Sequence, residues 1–483
     1  MSVGGARAGP GPAARHATAL LGELGVSAVV PPAPELHPDL LWARCGAMAL
    51  SGRADGPPQL PPSAVASCAE GAARALAAVG GPQLAPGAAA ALLGERAAIA
   101  GFVRRGATSC GGAHRLLRGR AGVLAVGLPR EEDLRAVPAW LEREGSPPGD
   151  REAAFTEVER ALGRGRLREL AVRATWLGLP VAEAAAPGAP PPGVPPWLRV
   201  VATGARRGAR RARAPRVLDL SALWAGPLLT SLLAAAGARV VKLEDPRRPD
   251  GARSGPRAFF ELLNRGKRPV GVELGTPRGD AILARLLDWA DLVVEGSRPR
   301  ALRQLGIDAE HFVRARPGRV WLSLTAWGRE GEAGQRVGFG DDVAAGCGLL
   351  AREPSGGLVF LADALADPLA GLHGAVAALA AWRSGESRLL DLSLAGVAAR
   401  VARVEVPGPR GEVREGAAGS GSPAERAARR PTPGYRVVVG RTEAVVSPPV
   451  ARAPAVATGS GHRPGPAAPS SRIAADPAGM SPA

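Results

Sequence analysis

The stretch VLDLSALWAGPLLTSLLAAAGARVVKLEDP, Val217–Pro246, decides the fold predicted for this chain. It opens with a short apolar run that is typical of a buried strand. A helical pattern follows, in which Pro227 lies near the start and Gly237 ends the apolar run. A second apolar segment, ARVVKLE, comes directly after this glycine. A strand, a helix and a strand in this order predict two parallel strands joined by a right-handed crossover.

The same alternation continues through residues 215–400. GTPRGDAILARLLDWA has a helical pattern, and the segments DLVVEG and GRVWLSLTAWG have the composition of buried strands. Repeated units of this kind predict an α/β fold with a Rossmann-like parallel sheet. We expect a smaller α+β domain beside it, because the first 200 residues combine helical patterns with one short β-like pair, HRLLRGRAGVLAVGLP, around an Ala-Gly turn.

Four regions follow from shifts in composition along the chain. Residues 1–200 carry mostly helical patterns broken by glycine and proline, and residues 201–214 are predicted to be an arginine-rich linker. Residues 215–400 form the predicted α/β core. Residues 401–483 are rich in Pro, Gly, Ala, Ser and Arg with little periodicity, so we expect a low-complexity, disordered tail.

An internal similarity links the first region to the core. SCAEGAARALAAVGG, Ser67–Gly81, resembles DPLAGLHGAVAALAA, Asp367–Ala381, at an offset of 300 residues. In both places a Cys-Gly pair and a Gly-rich loop precede the alanine-rich helix. An internal repeat and chance similarity between two alanine-rich helices both agree with this pattern. In a repeat, Ser67 would stand where the second copy has Asp367, and the first copy would have lost its carboxylate.

The charge of the chain does not indicate a nucleic-acid partner. The formal net charge is +17 over 483 residues, but only two of the 61 basic residues are lysines and the arginines are spread along the chain. The one dense cluster, ARRGARRARAPR, contains no aromatic side chain on which a base could stack. The sequence shows no apolar run of about 18 residues and no apolar stretch of a secretory signal near residue 1. We therefore expect a cytoplasmic protein with neither a membrane span nor a nucleic-acid partner.

Common metal-binding and nucleotide-binding motifs are missing from the sequence. The four cysteines are scattered without a CxxC pair, which suits neither a zinc site nor a disulfide framework. No GxGxxG follows the first strand, and no P-loop, HExxH or GxSxG is found. We expect no metal site and no tightly bound cofactor.

One aspartate stands out at the start of the alanine-rich helix of the core. Asp367 directly precedes Pro368, and proline is favoured in the first turn of a helix. This predicts that Asp367 is an N-cap whose carboxylate accepts backbone N–H groups. Asp363 lies one helical turn earlier and is expected to be a supporting or structural acid.

Four blocks of the core, in order and at the right spacing, resemble CoA-transferase family III, the CaiB/BaiF type, which includes formyl-CoA transferase and L-carnitine CoA-transferase. The blocks are Val217–Pro246, Phe259–Ile307, Arg316–Gly331 and Leu361–Leu394. The segment CGAMALSGRADGPP of the first region resembles a later portion of the family. Residues 1–200 therefore resemble a degenerate copy of the later portion of the family sequence, and they precede a well-preserved copy of its earlier portion.

The resemblance implies a transferase that moves CoA from an acyl-CoA to a carboxylic acid. It implies that Asp367, in ADPLAG, is the nucleophile that forms a mixed anhydride and then an aspartyl thioester. Asp341 and Asp342 are candidate supporting acids, although many family members place an acid where this chain has Gly340. Backbone N–H donors for the oxyanion are expected from glycine-rich loops. The candidates are Gly346, Gly348, Gly356 and Gly357.

Coenzyme A and acyl-CoA are therefore the expected substrates, with a carboxylic acid as the second partner. Arginine, lysine and backbone N–H groups are expected to contact the phosphates. The resemblance points to six residues near CoA: Trp224, Ala225, Lys242, Val272, Arg298 and Leu305. The family forms interlocked ring dimers, so a homodimer is compatible with this chain. An arrangement in which the two halves of one chain resemble the two subunits of such a dimer is also compatible.

Two alternatives stay open. A non-catalytic or regulatory CoA-binding homologue agrees with Ser67 in place of a carboxylate and with the glycine at position 340. An α-methylacyl-CoA racemase needs a second proton-transfer group, which in the family is a histidine at the position of Phe339. We expect His373, six residues beyond Asp367, to be a packing or surface residue.

Overall fold

The computed structural model describes residues 9–208, 214–297, 299–415 and 434–452. The N-terminal part is helical, and prolines in the first turns of two helices favour their starts. Its helices are α1 (Pro12–Glu23), α2 (Pro38–Arg44), α3 (Val65–Ala78), α4 (Ala88–Ala91) and α5 (Glu95–Ala100). Helices α1 and α3 pack on one another, and α3 also packs on a long helix of the core.

A smaller α+β unit follows, with its own apolar core around Trp140 and Phe155. Its elements are β1 (His114–Gly119), β2 (Gly122–Gly127), α6 (Glu131–Leu141), α7 (Arg151–Gly163), α8 (Leu167–Leu177) and β3 (Val181–Glu183). The three strands form an antiparallel sheet in the order β1-β2-β3. The predicted β-like pair is the β1–β2 hairpin.

Residues 198–402 form an α/β unit of alternating strands and helices. Its first half contains β4 (Leu198–Gly204), β5 (Arg216–Leu220), α9 (Ala225–Ala235), β6 (Arg239–Glu244), α10 (Arg257–Asn264), β7 (Arg268–Gly271), α11 (Pro277–Trp289) and β8 (Leu292–Glu295). Its second half contains α12 (Pro299–Gln304), α13 (Ala309–Ala315), β9 (Val320–Thr325), α14 (Gly340–Gly346), β10 (Leu350–Arg352), β11 (Leu358–Phe360), α15 (Ala366–Ser384), β12 (Ser387–Ser393) and α16 (Leu394–Ala402).

A seven-stranded sheet at the centre of this unit has the order β4-β12-β9-β8-β5-β6-β7. All neighbouring strands are parallel except β4, which pairs antiparallel with β12 at one edge. The Rossmann-like parallel sheet is thus confirmed. The predicted linker begins later than expected, because residues 201–204 complete β4 and pair with β12 from Ser387 onward.

The strand order reverses between β5 and β8, since β6 and β7 lie on one side of β5 and the later strands lie on the other. Ligands of open α/β sheets bind at the carboxyl ends of strands near such a reversal. Trp224 and Ala225 follow β5, and Gly296 follows β8. The fold therefore brings the segments after β5 and β8 to the same edge of the sheet.

Helix α15 is apolar around its whole circumference and is buried almost throughout, as expected for a central core helix. It packs against α9 as α3 packs against α1. Helices α2 and α14 each have seven residues and are followed by a cysteine and a glycine with positive φ, Gly46 at 86° and Gly348 at 80°. These paired features agree with an internal repeat between the first region and the core.

Part of the predicted disordered tail has regular structure. Within the described residues it forms a three-stranded antiparallel sheet of β13 (Glu412–Glu415), β14 (Tyr435–Val439) and β15 (Thr442–Val445). Arg410 pairs with the buried Asp39 of α2 at 2.9 Å, which anchors this segment to the N-terminal helices. The prediction of disorder therefore differs from the structure at residues 412–415 and 435–445, because EVRE and YRVVV can pair as strands. The rest of the tail lies outside the described residues.

Among the described residues, no helix is both long enough and apolar enough to cross a membrane.

Candidate active site

The turn that leads into α15, Leu361–Leu365, has an unusual backbone. Ala362 and Ala364 adopt positive φ angles of 53° and 42°, which residues with a Cβ rarely adopt. Such conformations persist when their surroundings fix them, and they occur often at functional sites. Here Ser51 Oγ accepts a hydrogen bond from Ala362 N at 3.0 Å, and Asp341 Oδ1 accepts one from Ala364 N at 2.9 Å. The turn is therefore held from both the N-terminal region and α14.

Gly340 allows this turn to pack closely against the start of α14. A Cβ added to Gly340 would lie 2.2 Å from the carbonyl oxygen of Ala364. Only a glycine fits beneath the turn in this conformation. The departure from the family pattern at this position therefore has a local packing reason.

Asp367 is the second residue of α15, and the predicted N-cap role is wrong. The helix begins at Ala366, its N-cap is Leu365, and Asp367 N donates to the carbonyl of Ala364 at 2.9 Å. The positive φ of Ala364 brings the chain into the helix before Asp367, so its carboxylate does not cap the helix. No hydrogen bond to this carboxylate comes from any other described residue, and Asp367 is partly exposed.

Arg96 of α5 supplies a cation next to the turn. Its guanidinium forms a two-pronged ion pair with the fully buried Asp363, with Nε 2.9 Å from Oδ2. The same guanidinium lies 5.2 Å from the ring centre of Trp224. Cys110 Sγ donates to the other carboxylate oxygen of Asp363 at 3.2 Å. Asp363 is thus the structural acid that was expected, and Arg96 connects the turn to the segment after β5.

His114 lies between the two acids of α14. Its Nδ1 is 3.4 Å from Asp341 and its Nε2 is 3.3 Å from Asp342. Burial by itself disfavours the imidazolium, but the two carboxylates outweigh it and raise the pKa of His114 to about 9. The imidazolium in turn lowers the pKa of Asp341 against the effect of burial. Both predicted supporting acids therefore lie within 3.4 Å of one buried imidazole ring, that of His114.

Asp367 is the acid in this neighbourhood without a direct cationic partner among the described residues. Burial raises its pKa, Arg96 acts in the opposite direction, and the carboxylates of Asp341, Asp342 and Asp363 raise it further. The resulting pKa is about 7. Strongly perturbed carboxyl groups of this kind are typical of functional sites.

The predicted glycine loops do not meet at Asp367. Gly346 ends α14 and packs against Trp327 and Ala182, and Gly348 follows it with a positive φ. Gly356 and Gly357 belong to the turn of the β10–β11 hairpin, whose nearest side chains are Glu353 and Ser355. Both segments are explained by local turns, so their assignment as oxyanion donors has no geometric support here.

The predicted CoA-binding residues lie after β5 and β7, within β6 and after α12, and several are interior. Trp224, Lys242 and Val272 are nearly inaccessible, while Leu305 is half-buried and Ala225 is buried. Lys242 Nζ pairs with Asp250 at 3.1 Å instead of forming the surface pair with Glu244, which binds Arg253. Arg298 lies outside the described residues. The interior position of Lys242 differs from a phosphate-contacting role, because its charge is already paired.

Three residues near the turn were missed from the sequence: Arg96, Cys110 and His114. Arg96 and Asp363 are 267 positions apart, and Cys110 and Asp363 are 253 positions apart. Each belongs to the region interpreted as degenerate, and none lies in a recognisable motif. No local sequence signal identifies these residues, because each contact joins residues that lie far apart in the chain.

Residues 214–437 match the family model described as CoA-transferase family III. This part of the chain contains the turn, Asp367 and every strand of the sheet except β4, and it is similar to CoA-transferase family III, as the resemblance implied.

Similar proteins of this class are known by name. The succinyl-CoA–D-citramalate CoA-transferase of Chloroflexus aurantiacus is 32% identical over 192 residues, which cover 37% of this chain and 48% of that protein. The succinate–glutarate CoA-transferase of Agrobacterium fabrum is 32% identical over 205 residues, covering 38% and 51%. The crystal structure of a CaiB/BaiF family protein from Brucella suis covers 40% of this chain and 55% of that chain, with 27% identity and a TM-score of 0.37. The chain spans about half the length of the curated relatives it matches.

Proposed function

We propose that this protein is a CoA-transferase that moves CoA from an acyl-CoA to a carboxylic acid, with Asp367 as the nucleophile. The observation that carries the proposal is the state of Asp367. It is a partly exposed carboxyl group with no hydrogen bond from another described residue and a pKa of about 7. It also lies in the part of the chain that matches the family model.

The reaction starts with the ionised carboxylate of Asp367. One of its oxygens attacks the thioester carbonyl, the carbon–sulfur bond breaks, and a mixed anhydride and a CoA thiolate result. The thiolate attacks the aspartyl carbonyl and releases the first acid, which leaves an aspartyl–CoA thioester. The acceptor carboxylate attacks this thioester and displaces the thiolate. The thiolate then attacks the acceptor's acyl carbon, which gives the new acyl-CoA and restores Asp367.

The surrounding charges suit this chemistry. A carboxylate with a raised pKa is a stronger nucleophile than an ordinary surface aspartate. Asp367 lies in the first turn of α15, where the positive end of the helix dipole stabilises negative charge. Arg96 lies near the same turn and is held by Asp363 and by the ring of Trp224. We assign Arg96 as a positioning residue that fixes the turn carrying the nucleophile.

The names of the relatives suggest which substrates to try first. Both CoA-transferases described above are named for dicarboxylic acids. We therefore include succinyl-CoA as donor and glutarate as acceptor in the first assay, with a monocarboxylic acid beside them. No tightly bound cofactor is part of the proposed reaction.

The test compares CoA transfer by the unmodified protein with that of Asp367→Asn and of a matched surface control, Asp288→Asn. Asp288 is 79% exposed, so its replacement should leave the rate unchanged. Asp367→Asn should lower kcat by about 10³-fold or more, because the covalent route is removed. Hydroxylamine added during turnover should convert Asp367 of the unmodified protein to a hydroxamate, detected by mass spectrometry.

Transfer at an unchanged rate in Asp367→Asn would remove Asp367 from the mechanism. CoA binding by calorimetry without turnover over a panel of acids would instead support the non-catalytic alternative. His114 does not support the racemase alternative. Although it lies near Phe339, both of its ring nitrogens face carboxylates and the ring is buried.

A further inference from the structure

A second feature of the molecule lies at the carboxyl end of α14, where Gly346 lines it, whereas the turn packs against the start of this helix. A cleft of about 870 Å³ opens between the small α+β unit and the segment that follows β9. The side chains that matter for its chemistry are Arg130, Trp176, Arg248, Trp327, Gln335 and Arg336. None of these residues was singled out from the sequence, and none belongs to the site around Asp367.

Arg336 is the central residue of the cleft. Its guanidinium stacks over the indole of Trp327, 3.7 Å from the ring centre, and the side chain is half-buried. No ion pair or hydrogen bond joins this guanidinium to another side chain within the described ranges. Other partly buried arginines are paired or hydrogen-bonded: Arg96 and Arg216 with carboxylates, and Arg104 with two backbone carbonyls. Desolvating a cation without a partner costs free energy, so Arg336 is set up to receive an anion.

Trp327 adds a second polar group without a partner. Its side chain is about 94% buried, since the residue is 6% exposed, and its Nε1 donates to no acceptor among the described residues. A buried donor of this kind is uncommon in folded proteins. Both unsatisfied donors thus belong to one stacked pair of side chains in the lining of one cleft.

The remaining lining residues carry charges of both signs. Glu132, Glu183 and Glu332 also line the cleft, so an oxyanion would bind against Arg336 and Arg248, which have no carboxylate partner among the described residues. Arg248 lies exposed at the rim, and Gln335 provides an amide beside Arg336. Trp176 is 78% exposed, which is unusual for a tryptophan and offers an aromatic surface. Arg130, in contrast, is already paired with Asp133 and contributes little free charge.

The surroundings of Arg336 also change the pKa of its guanidinium. Burial lowers the pKa of its guanidinium, while the Asp342 carboxylate acts in the opposite direction without forming an ion pair with it. A bound oxyanion would supply the close negative charge that this arginine lacks, in the two-pronged geometry that a guanidinium favours.

We propose that this cleft binds the oxyanion group, a carboxylate or a phosphate, of an organic ligand, with Arg336 and Trp327 as the principal binding residues. Both groups occur in the substrates of CoA transfer, on the acid and on the nucleotide end of CoA. Identifying the ligand with a substrate rests on the proposed function, whereas oxyanion binding by the cleft does not.

The experiment is calorimetric titration of the full-length Asp367→Asn protein, which cannot turn over, with two probes. Disodium succinate tests the carboxylate source, and adenosine 3′,5′-bisphosphate tests the phosphate source. We expect one of them to bind, and we expect Arg336→Met to weaken that binding by at least about tenfold, the loss of a charge-assisted hydrogen bond. Arg257→Met is the matched control, because Arg257 is 86% exposed and lies outside the cleft, and it should change nothing.

A stability measurement separates this role from a structural one. Because an unpaired, partly buried cation destabilises the free protein, Arg336→Met should unfold at the same or a higher temperature than its parent without ligand. A structural role would make the variant less stable. The proposal is overturned if neither probe binds at millimolar concentration, or if Arg336→Met binds the probe as tightly as its parent does. These outcomes do not depend on whether Asp367 is a nucleophile.

Discussion

Two groups of charges, one around strands β5 and β6 and one at the turn before α15, differ in the balance between acids and bases. The sheet cluster has two carboxylates and two ammonium groups: Asp219, Asp250, Lys242 and Lys267. The turn cluster has four carboxylates and two cations: Asp341, Asp342, Asp363, Asp367, Arg96 and His114. In the first, every charge has a partner, while in the second the acids outnumber the bases.

In the sheet cluster the pairing is complete. Lys267 Nζ lies 3.1 Å from Asp219, 2.9 Å from the carbonyl of Pro227 and 3.0 Å from Asn264 Oδ1. Burial opposes ionisation of Asp219, but Lys267 and Lys242 together with the hydroxyl groups of Ser221 and Thr230 outweigh it and lower the pKa of the carboxyl group. Lys242 and Lys267 are also the only two lysines in the chain. A compact ammonium with three donors fits where a planar guanidinium would not.

In the turn cluster the surplus acid is Asp367, and burial together with the neighbouring carboxylates raises the pKa of its carboxyl group. The comparison teaches that balanced charges hold the fold here, while an excess of acids leaves Asp367 without a direct cationic partner among the described residues. The variants below test this contrast, and they are ordered by the size of the effect.

Lys267→Met should produce the largest loss of stability. Removing the ammonium leaves Asp219 buried without its closest cation, which costs about 3–5 kcal/mol in comparable cases. Urea denaturation followed by circular dichroism would measure the change in the free energy of unfolding. Arg257→Met, at an exposed ion pair, serves as the control and should change it by less than about 1 kcal/mol. A loss of similar size in both variants would show that the sheet cluster is not a special source of stability.

Gly340→Ala should damage the turn cluster by steric means alone. Its new methyl group would lie 2.2 Å from the Ala364 carbonyl, so the turn or α14 must shift, at a cost of about 1–3 kcal/mol. Transfer activity should fall together with stability, because Asp367 follows the turn. Gly163→Ala has open space around the added Cβ and is the matched control. Unchanged unfolding and unchanged activity in Gly340→Ala would mean that the turn is not tightly held.

Asp367→Asn should increase the free energy of unfolding, whereas Lys267→Met should decrease it. The folded-state pKa of Asp367 is about 7, above the ordinary value of 3.8, so its ionisation destabilises the folded protein as pH rises through this window. Asparagine avoids this penalty, and we expect the variant to be more stable at pH 8 by about 1 kcal/mol, with a smaller gain at pH 5. Differential scanning calorimetry at the two pH values would measure it. A variant that is less stable at pH 8 would contradict the idea of a surplus charge.

The smallest effect is expected in the pH profile of transfer. Because Asp367 must be ionised to attack, kcat/KM of the unmodified protein should fall tenfold per pH unit below about pH 7 and level off above it. Asp341→Asn removes one of the carboxylates that raise this pKa, so the midpoint should move to lower pH by up to about one unit. A midpoint that stays in place, or moves upward, would show that Asp341 does not set the ionisation of Asp367.

The sequence was sufficient to predict those parts that depend on short-range pattern. The parallel sheet follows from alternating strands and helices, and Asp367 was identified because its motif is contiguous. The cations of the turn cluster could not be predicted, since Arg96 reaches Asp363 across 267 positions. Lys242 was misassigned because a lysine at a strand end looks the same in sequence whether it faces solvent or Asp250.

The origin of these contacts has a practical consequence for dissecting the protein. Ser51, Arg96 and His114, which hold the turn or neutralise its acids, all precede the segment that matches the family. A fragment limited to residues 214–437 would contain Asp341, Asp342, Asp363 and Asp367 without either counter-ion. In such a fragment four carboxylates would lie around the turn before α15 without a neighbouring cation from the first region. The residues that precede the matched segment therefore supply both cations of the turn cluster, and we expect the two parts of the chain to be needed together.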